Sequence, residues 1–456
     1  MLRIKKKNHA FLTIDAEPSI LNEISDYFTF YVPGYKFMPA FRNKVWDGKI
    51  RLFNVQSKEL YSGLYHYVEK LANEEGRNYK IELEDSQYGY PNEKQEVSLD
   101  FLDTYNLTVK DKPIKVRDYQ LEAISHCLNN KQALLLSPTA SGKSLIIYCV
   151  IRWFIEEFNK KVLIIVPTTS LVEQMYSDFA DYSKHDIGFE DSFMHRIYAG
   201  KSKTADHSII ISTWQSIYKM PGSWFEQFGC VFGDEAHNFK AKSLTSILSK
   251  MRECEYRFGT TGTLDGTQTH RLVLEGLFGK ILKVTSTKDL MDKGALAKLD
   301  INVLLMKYND ELCKAMNGQK YNDEVDFIVK YEPRNRFISN LALDQKGNTL
   351  ILFQYVDKHG RKIYDAFQKA GIKSFFIYGG TDTINREKVR ELMEKEEGCV
   401  IIASYGTFST GINIKNLHNI VFASPSKSKI RVLQSIGRVL RTSKDKVNAT
   451  LFDIAD

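Results

Sequence analysis

The stretch Ala133–Phe158, "ALLLSPTASGKSLIIYCVIRWFIEEF", decides the fold. A short apolar run is followed by a small, polar, turn-forming segment and then by a long apolar pattern too extended for a strand. That order is strand, loop, helix, and the loop "SPTASGKS" from Ser137 to Ser144 has the spacing of a phosphate-binding loop. In such a loop the backbone N–H groups of Thr139, Ala140, Ser141, Gly142, Lys143 and Ser144 and the start of the following helix face the phosphates. Lys143 places a cation at the β- and γ-phosphates, and the Ser144 hydroxyl can ligate Mg²⁺. Ser137 stands where the general pattern has Gly.

Outward from this stretch, "VLIIVP", "SIIIST", "CVFGDE" and "YRFGTTGT" repeat the short apolar run, with helical stretches between several of them. Buried strands joined by helices make a parallel sheet. After a less regular region from about Val284 to Asn335, the alternation resumes with "TLILFQY", "SFFIY", "CVIIAS", "NIVFAS" and "NATLFDI". The expected fold is α/β, with two tandem parallel-sheet domains behind a small α+β N-terminal domain. The expected boundaries are 1–85 for the N-terminal domain, 86–112 for a polar linker, 113–290 for the first sheet domain, 291–335 for a connection and 336–456 for the second.

The composition limits the alternatives. At 456 residues the chain suits about three domains. Its six cysteines form no C-x-x-C pair, so neither a zinc cage nor a disulfide framework is indicated, and a reducing cytoplasm fits. The most apolar stretch, "LIIYCVIRWFI", is short and interrupted by Arg152, which argues against a membrane span. No short tandem period marks a solenoid.

Two further patterns carry chemistry. "CVFGDEAH" ends an apolar strand in Asp234-Glu235, at the edge of a parallel sheet where ligands bind. Asp234 is expected to hold Mg²⁺, Glu235 to orient or deprotonate the attacking water, and His237 to relay to the second domain. "QSIGRVLR" is expected on a helix from about Ser428 to Leu440, where Gln434, Arg438 and Arg441 share a face at i, i+4 and i+7. Beside a phosphate loop, such arginines read as arginine fingers.

Near the N-terminus, "FRNKVWDGKIRLF" from Phe41 to Phe53 places Asp47-Gly48 between alternating segments, the signal of a two-residue hairpin. Arg42, Lys44, Trp46, Lys49, Arg51 and Phe53 would then share one face and Phe41, Val45, Ile50 and Leu52 the other. From Lys36 to Lys58 six Lys or Arg accompany one Asp, while the net charge of the whole chain is +7. A phosphate backbone would relieve that local repulsion, so the face is expected to bind nucleic acid.

Together these motifs resemble the superfamily 2 helicases, ATP-driven motors with two RecA-like domains, over residues 113 to 456. The resemblance implies adenine reading by Arg117 and Gln120 of "VRDYQLEAI", and it sets "TGT" from Thr261 at the third motif. From "VPTTSLVEQ" and "STWQS" it implies strand contacts by Thr168, Thr169 and Thr213, and "LFQYVDKHG" adds Phe353. In "ASYGTFSTGINI" it implies that Thr407, Gly411 and Asn413 link nucleic acid to nucleotide, with Asn413 where many relatives have Asp. The segment "GYKFMPAFRNKVWDGKIRLF" ahead of the motor looks like the N-terminal domain of the UvsW-type phage helicases. That resemblance implies a monomeric, ATP- and Mg²⁺-dependent motor on branched DNA, including forks, Holliday junctions, D-loops and R-loops, in a bacterial host's cytoplasm. RNA in RNA–DNA hybrids is a further expected partner, and the rival readings are an RNA helicase and a nucleotide-switched DNA-bridging protein.

Overall fold

The computed structural model describes the chain except at residues 205, 239, 240, 265, 412, 413, 427, 443–445 and 447. It divides into two compact units, Met1–Ser137 with Gly142–Thr285, and Pro138–Ser141 with Ser286–Asp456.

The first unit holds a seven-stranded, all-parallel sheet in the order Met194–Ile197, Ile209–Thr213, Lys161–Val166, Phe228–Gly233, Tyr256–Thr261, Gln132–Leu136, Ile281–Lys283. The helix Lys143–Phe158 is buried without interruption from Leu145 to Phe154, as an all-round apolar helix must be. Arg152, the cation inside it, is buried with Asp186 at 2.9 Å and lies 4.9 Å over the Tyr105 ring. Tyr105 belongs to the polar stretch expected as a linker, and it is itself buried.

The N-terminal part of this unit is a mixed five-stranded sheet in the order Phe53–Asn54, Glu59–Tyr61, Phe11–Asp15, Leu2–Lys6, Ile81–Glu84. Ile81–Glu84 runs parallel to Leu2–Lys6, so the polar "IELEDSQ" segment opens with a strand. The helices Pro18–Tyr27 and Tyr65–Ala72 bury Ile24, Val68 and Leu71 against this sheet. The apolar packing does not stop there: Ile4, Leu12, Leu60 and Leu64 belong to one hydrophobic cluster with Leu134, Leu163, Val231 and Phe278 of the parallel sheet and its helices.

The seam between the two sheets is tight. A methyl group on Gly63 would lie 2.0 Å from the Glu275 carbonyl oxygen, 2.7 Å from Gly279 N and 2.9 Å from the Gly276 carbonyl oxygen. Glu275 is buried, with Arg271 Nε at 3.0 Å and His66 Nε2 at 3.5 Å. Burial pushes its carboxyl up, but hydrogen bonds from His66, Tyr67 and Arg271 outweigh that and hold it below the usual carboxylate range.

The second unit is a six-stranded parallel sheet in the order Lys298–Leu305, Asn448–Ala455, Asn419–Phe422, Thr349–Phe353, Val400–Ser404, Ser374–Ile377. Both parallel sheets and the mixed N-terminal sheet agree with the expected fold class. The strand Lys298–Leu305 lies within the stretch expected to be a connection, and pairs along its whole length with Asn448–Ala455. Among the described residues, no helix is long and apolar enough to cross a membrane.

The hairpin expected at Asp47-Gly48 is absent. Pro39–Arg42 is a short helix, and the Ala40 carbonyl accepts from both Val45 and Trp46 N–H, so residues 41–46 coil instead of extending. Pro39 explains this, because its fixed φ and missing N–H suit the first helical position. Lys49–Arg51 pairs with Thr29–Tyr31, which avoids the like-charge pairing of Lys44 with Arg51. Phe53, expected on the cationic face, is buried in the other sheet and pairs with Leu60.

Candidate active site

The carboxyl ends of the first parallel sheet gather the motifs on one edge, since all seven strands point the same way. The loop after Gln132–Leu136 turns through two left-handed residues, Ala140 at φ 66° and Gly142 at φ 79°. Ser141 Oγ donates to the Pro138 carbonyl at 2.7 Å, bracing the turn. A Cβ on Gly142 would lie 2.3 Å from Gln120 Nε2, so the Gln120 amide would have to shift to admit a side chain there. Gln120 in turn accepts the Arg117 N–H at 2.9 Å, and the Arg117 guanidinium donates to the Tyr119 hydroxyl at 3.0 Å. The two residues expected to read adenine thus lie in one small network beside the loop.

Lys143 opens the helix, and its Nζ is 2.9 Å from Glu235 Oε1. Glu235 has φ 51°, a left-handed conformation that costs a non-glycine residue free energy and places its side chain apart from the strand direction. Asp234 is buried and accepts from Thr260 Oγ1 at 2.5 Å. Burial, and then the neighbouring Glu235 charge, push the Asp234 carboxyl up, against Lys143 and the Thr260 hydrogen bond.

The strand Tyr256–Thr261 lies between the loop strand and the Asp234 strand and ties both. Thr260 holds Asp234, the Thr261 carbonyl accepts the Ser137 N–H at 2.8 Å, and Thr261 Oγ1 lies 2.7 Å from His237 Nδ1. Thr261 Oγ1 donates to the Thr263 carbonyl at 2.8 Å, so His237 Nδ1 is the donor toward Thr261. Thr260 is absent from the residues expected at the site; its signal is a hydroxyl one residue before "TGT", on the strand flanking the acidic pair. Tyr182 is absent from them too, and its hydroxyl lies 2.8 Å from Ser144 Oγ.

The donor set suits Mg²⁺: a hydroxyl and a carboxylate are hard oxygen ligands, and that ion is bound through one or two protein groups plus phosphates. Among the described residues no group of three or more His, Cys, Asp or Glu could hold a metal alone.

Along the same edge, Val166 and Thr213 are register partners. Thr168 caps the helix Thr169–Tyr182 by accepting the Leu171 N–H, Thr169 is exposed, and Thr213 Oγ1 lies 2.9 Å from Ser216 Oγ. Gln215 Nε2 donates to the Pro167 carbonyl at 3.3 Å, joining the two loops.

In the second unit, Thr407 is buried and accepts from Ser404 Oγ at 2.8 Å. Gly411 ends the helix Tyr405–Gly411, and Asn413 lies outside the described residues. Phe353 is not a surface group. It is fully buried, stacked on Phe376 at 5.4 Å and pressed by Gly360, so the expected nucleic-acid contact is replaced by a core role. Gln434 is buried and Arg438 half-buried on the helix Lys429–Val439. Arg441 lies past the end of that helix, in an antiparallel bridge with Leu296, so it does not extend the helical face as its spacing implied.

In the N-terminal domain, Arg51 is paired with Asp47 at 2.5 Å. Arg42, Lys44 and Lys49 have no acidic side chain paired to them among the described residues. Trp46 Nε1 donates to the Lys49 carbonyl at 2.9 Å, and Lys49 Nζ lies 5.0 Å over the Tyr31 ring.

Comparison with known proteins places this arrangement. A family model described as "DNA helicase UvsW, N-terminal" matches residues 2–84, "Type III restriction enzyme, res subunit" matches 113–266, and "Helicase conserved C-terminal domain" matches 333–443. The ATP-dependent DNA helicase uvsW of Enterobacteria phage T4 is 38% identical over 99% of this chain and 90% of its own length. A DNA 3'-5' translocase XPB2 of Sulfurisphaera tokodaii is 24% identical over 76% of this chain and 82% of its own. The crystal structure of T4 UvsW superposes with a TM-score of 0.57 at 34% identity, covering 100% of this chain and 90% of that one. The chain belongs to the UvsW-type superfamily 2 DNA helicases.

Proposed function

We propose that this ATP-dependent DNA helicase works on branched DNA, unwinding or branch-migrating forks, Holliday junctions, D-loops and R-loops in phage replication, recombination and repair. The observation that carries the reading is the cationic surface of Arg42, Lys44 and Lys49, unpaired with any acid among the described residues, on a domain that shares one hydrophobic cluster with the first motor sheet. Phosphate contacts of this kind fix position and carry little sequence information, which suits a junction binder. Arg51 and Trp46 complete that surface.

In this reading residues 1–85 grip duplex, 86–112 lead into the motor, 113–290 and 336–456 are its two RecA-like domains, and 291–335 connect them. Arg117 and Gln120 take the adenine. The N–H groups of Thr139 to Ser144 and the Lys143 ammonium bind the phosphates, and Ser144 and Asp234 would hold Mg²⁺, which neutralises phosphate charge when bound. Glu235 holds the attacking water and takes its proton. Arg438 and Arg441, with Gln434, act as the arginine fingers and their partner. Thr168, Thr169, Thr213 and Thr407 contact the tracked strand, and Gly411 and Asn413 couple it to the nucleotide.

The test compares ATP hydrolysis and strand separation by wild type on single-stranded DNA, blunt duplex, a four-way junction, an R-loop and matched RNA. Strongest stimulation and separation on branched DNA supports the reading, while stimulation by RNA alone replaces it with an RNA motor. For the N-terminal surface, alanine at Arg42, Lys44 and Lys49 should lower the salt slope of duplex binding by about 0.9 per contact removed. An unchanged slope would remove those residues from the DNA site.

A further inference from the structure

The surface that carries Arg42, Lys44 and Lys49 also carries apolar side chains that the described residues leave open. Phe37 is 76% exposed, its chain neighbour Met38 38%, and Val45, three residues past the helix Pro39–Arg42, 80%. Both Phe37 and Met38 lie in the turn between Gly34 and the helix Pro39–Arg42. Isolated exposed apolar residues are ordinary, but several on one short loop among cations mark a contact surface.

The loop beneath them is built to be firm. Tyr31 stacks on Tyr35 at 4.7 Å and Tyr35 meets Phe41 edge-on at 4.7 Å. Gly48 lies against Tyr35 so closely that a Cβ would be 2.3 Å from its ring, and Gly48 has φ 82°. Phe37 N–H donates to the Gly34 carbonyl and Met38 N–H to the Tyr35 carbonyl, both at 3.0 Å. The aromatic stack is the support, and Phe37 is the ring held outward from it.

We propose that Phe37, with Met38 and Val45, is a wedge that inserts against the base pair at the DNA branch point while Lys36, Arg42, Lys44 and Lys49 hold the flanking phosphates. Apolar side chains that unstack a base step are a known device of DNA-bending proteins, and an open end at a branch already lacks one stacking neighbour. The charge around the loop fits this occupant: from Lys36 to Arg51 five Lys or Arg stand with one acid, Asp47, which is engaged by Arg51. The inference rests on the branched-DNA reading above and adds the group that meets the bases.

The test uses the full chain with a fork carrying 2-aminopurine at the branch-point pair, with linear duplex carrying the same base internally as reference. Wild type should raise the fluorescence at the branch and not in the linear duplex. Phe37→Ala should lose most of that rise and bind the fork at least about tenfold more weakly, Phe37→Trp should restore both, and Ile187→Ala, a control at a 97% exposed residue of the first motor sheet domain, should leave both unchanged. Unchanged melting temperatures would show that the variants fold. If wild type binds fork and linear duplex equally, the branched-DNA reading fails; if it prefers the fork and Phe37→Ala matches it in fluorescence and affinity, the wedge alone is overturned. A fork preference by wild type with no 2-aminopurine response would also overturn the wedge, and would leave the apolar loop to a protein partner.

Discussion

Lys143 Nζ and Glu235 Oε1 stand 2.9 Å apart, so the cation proposed for phosphate is held by the carboxylate proposed for water. On that proposal a nucleotide's phosphates would compete with Glu235 for the ammonium. Glu235→Gln should therefore bind a fluorescent ATP analogue about fivefold more tightly, the effect of releasing ~1 kcal/mol of ion pair. Turnover should fall by about 10² to 10⁴ with loss of the proposed general base. Weaker binding in that variant would show that Lys143 does not exchange one anion for the other.

Thr260 gives the buried Asp234 carboxylate its hydroxyl donor. Thr260→Val keeps the shape and removes the donor, leaving a buried acceptor short at a cost of about 1–3 kcal/mol. Steady-state ATPase assays across a Mg²⁺ titration should show a higher Mg²⁺ requirement and a lower kcat. Wild-type kinetics in Thr260→Val would reduce Thr260 to a strand residue.

Gly63 meets backbone atoms that cannot step aside, including the Glu275 carbonyl oxygen at 2.0 Å from a built Cβ. Gly63→Ala should cost at least the ~1–3 kcal/mol usual for overpacking, read as a lower Tm. Limited proteolysis should open within 86–112 before the motor core is cut. A variant with unchanged Tm and cleavage pattern would mean that the seam relaxes freely.

His359 is fully buried and its pKa is lowered to about 3, by burial first and then by Arg334 and Lys362. Its Nε2 faces Asn335 Oδ1 at 3.0 Å and its Nδ1 faces Ser424 Oγ at 2.7 Å, a pattern that the neutral ring satisfies. With the folded pKa below the unfolded value of 6.5, the unfolded chain binds the extra proton between those two values. Stability should be full above about pH 6.5 and decline as pH falls toward 3, with a limiting slope of about 1.4 kcal/mol per pH unit for this group. Denaturant unfolding followed in the second unit, for wild type and His359→Gln, measures it; equal slopes in the two proteins would place the acid sensitivity elsewhere.

The turn Ser137–Ser144 was legible as strand, loop and helix because its geometry is local: a left-handed Gly142, a lysine at the helix start and a strand before it need no distant partner. The two parallel sheets were legible for the same reason, through runs such as "VLIIVP" and "CVIIAS". Edge strands were not. Met194–Ile197 and Ile281–Lys283 are short, half-polar and lack the unbroken apolar run, and Lys298–Leu305 is exposed along most of its length. The Asp47-Gly48 signal failed because Pro39 starts a competing helical turn and Thr29–Tyr31 offers Lys49–Arg51 another partner. Phe353 and Thr260 needed knowledge of which side of a sheet faces its helices, and one sequence does not carry that.

The seating of Gly63 on Glu275 and Gly276 turns the N-terminal domain and the first parallel sheet into a single gauge. The face at Arg42, Lys44 and Lys49 lies in the same compact unit as Lys143 and Glu235. On the proposal that duplex is held there, it is measured from a mark in the same unit as Lys143, so progress along DNA should appear as strand drawn past that mark.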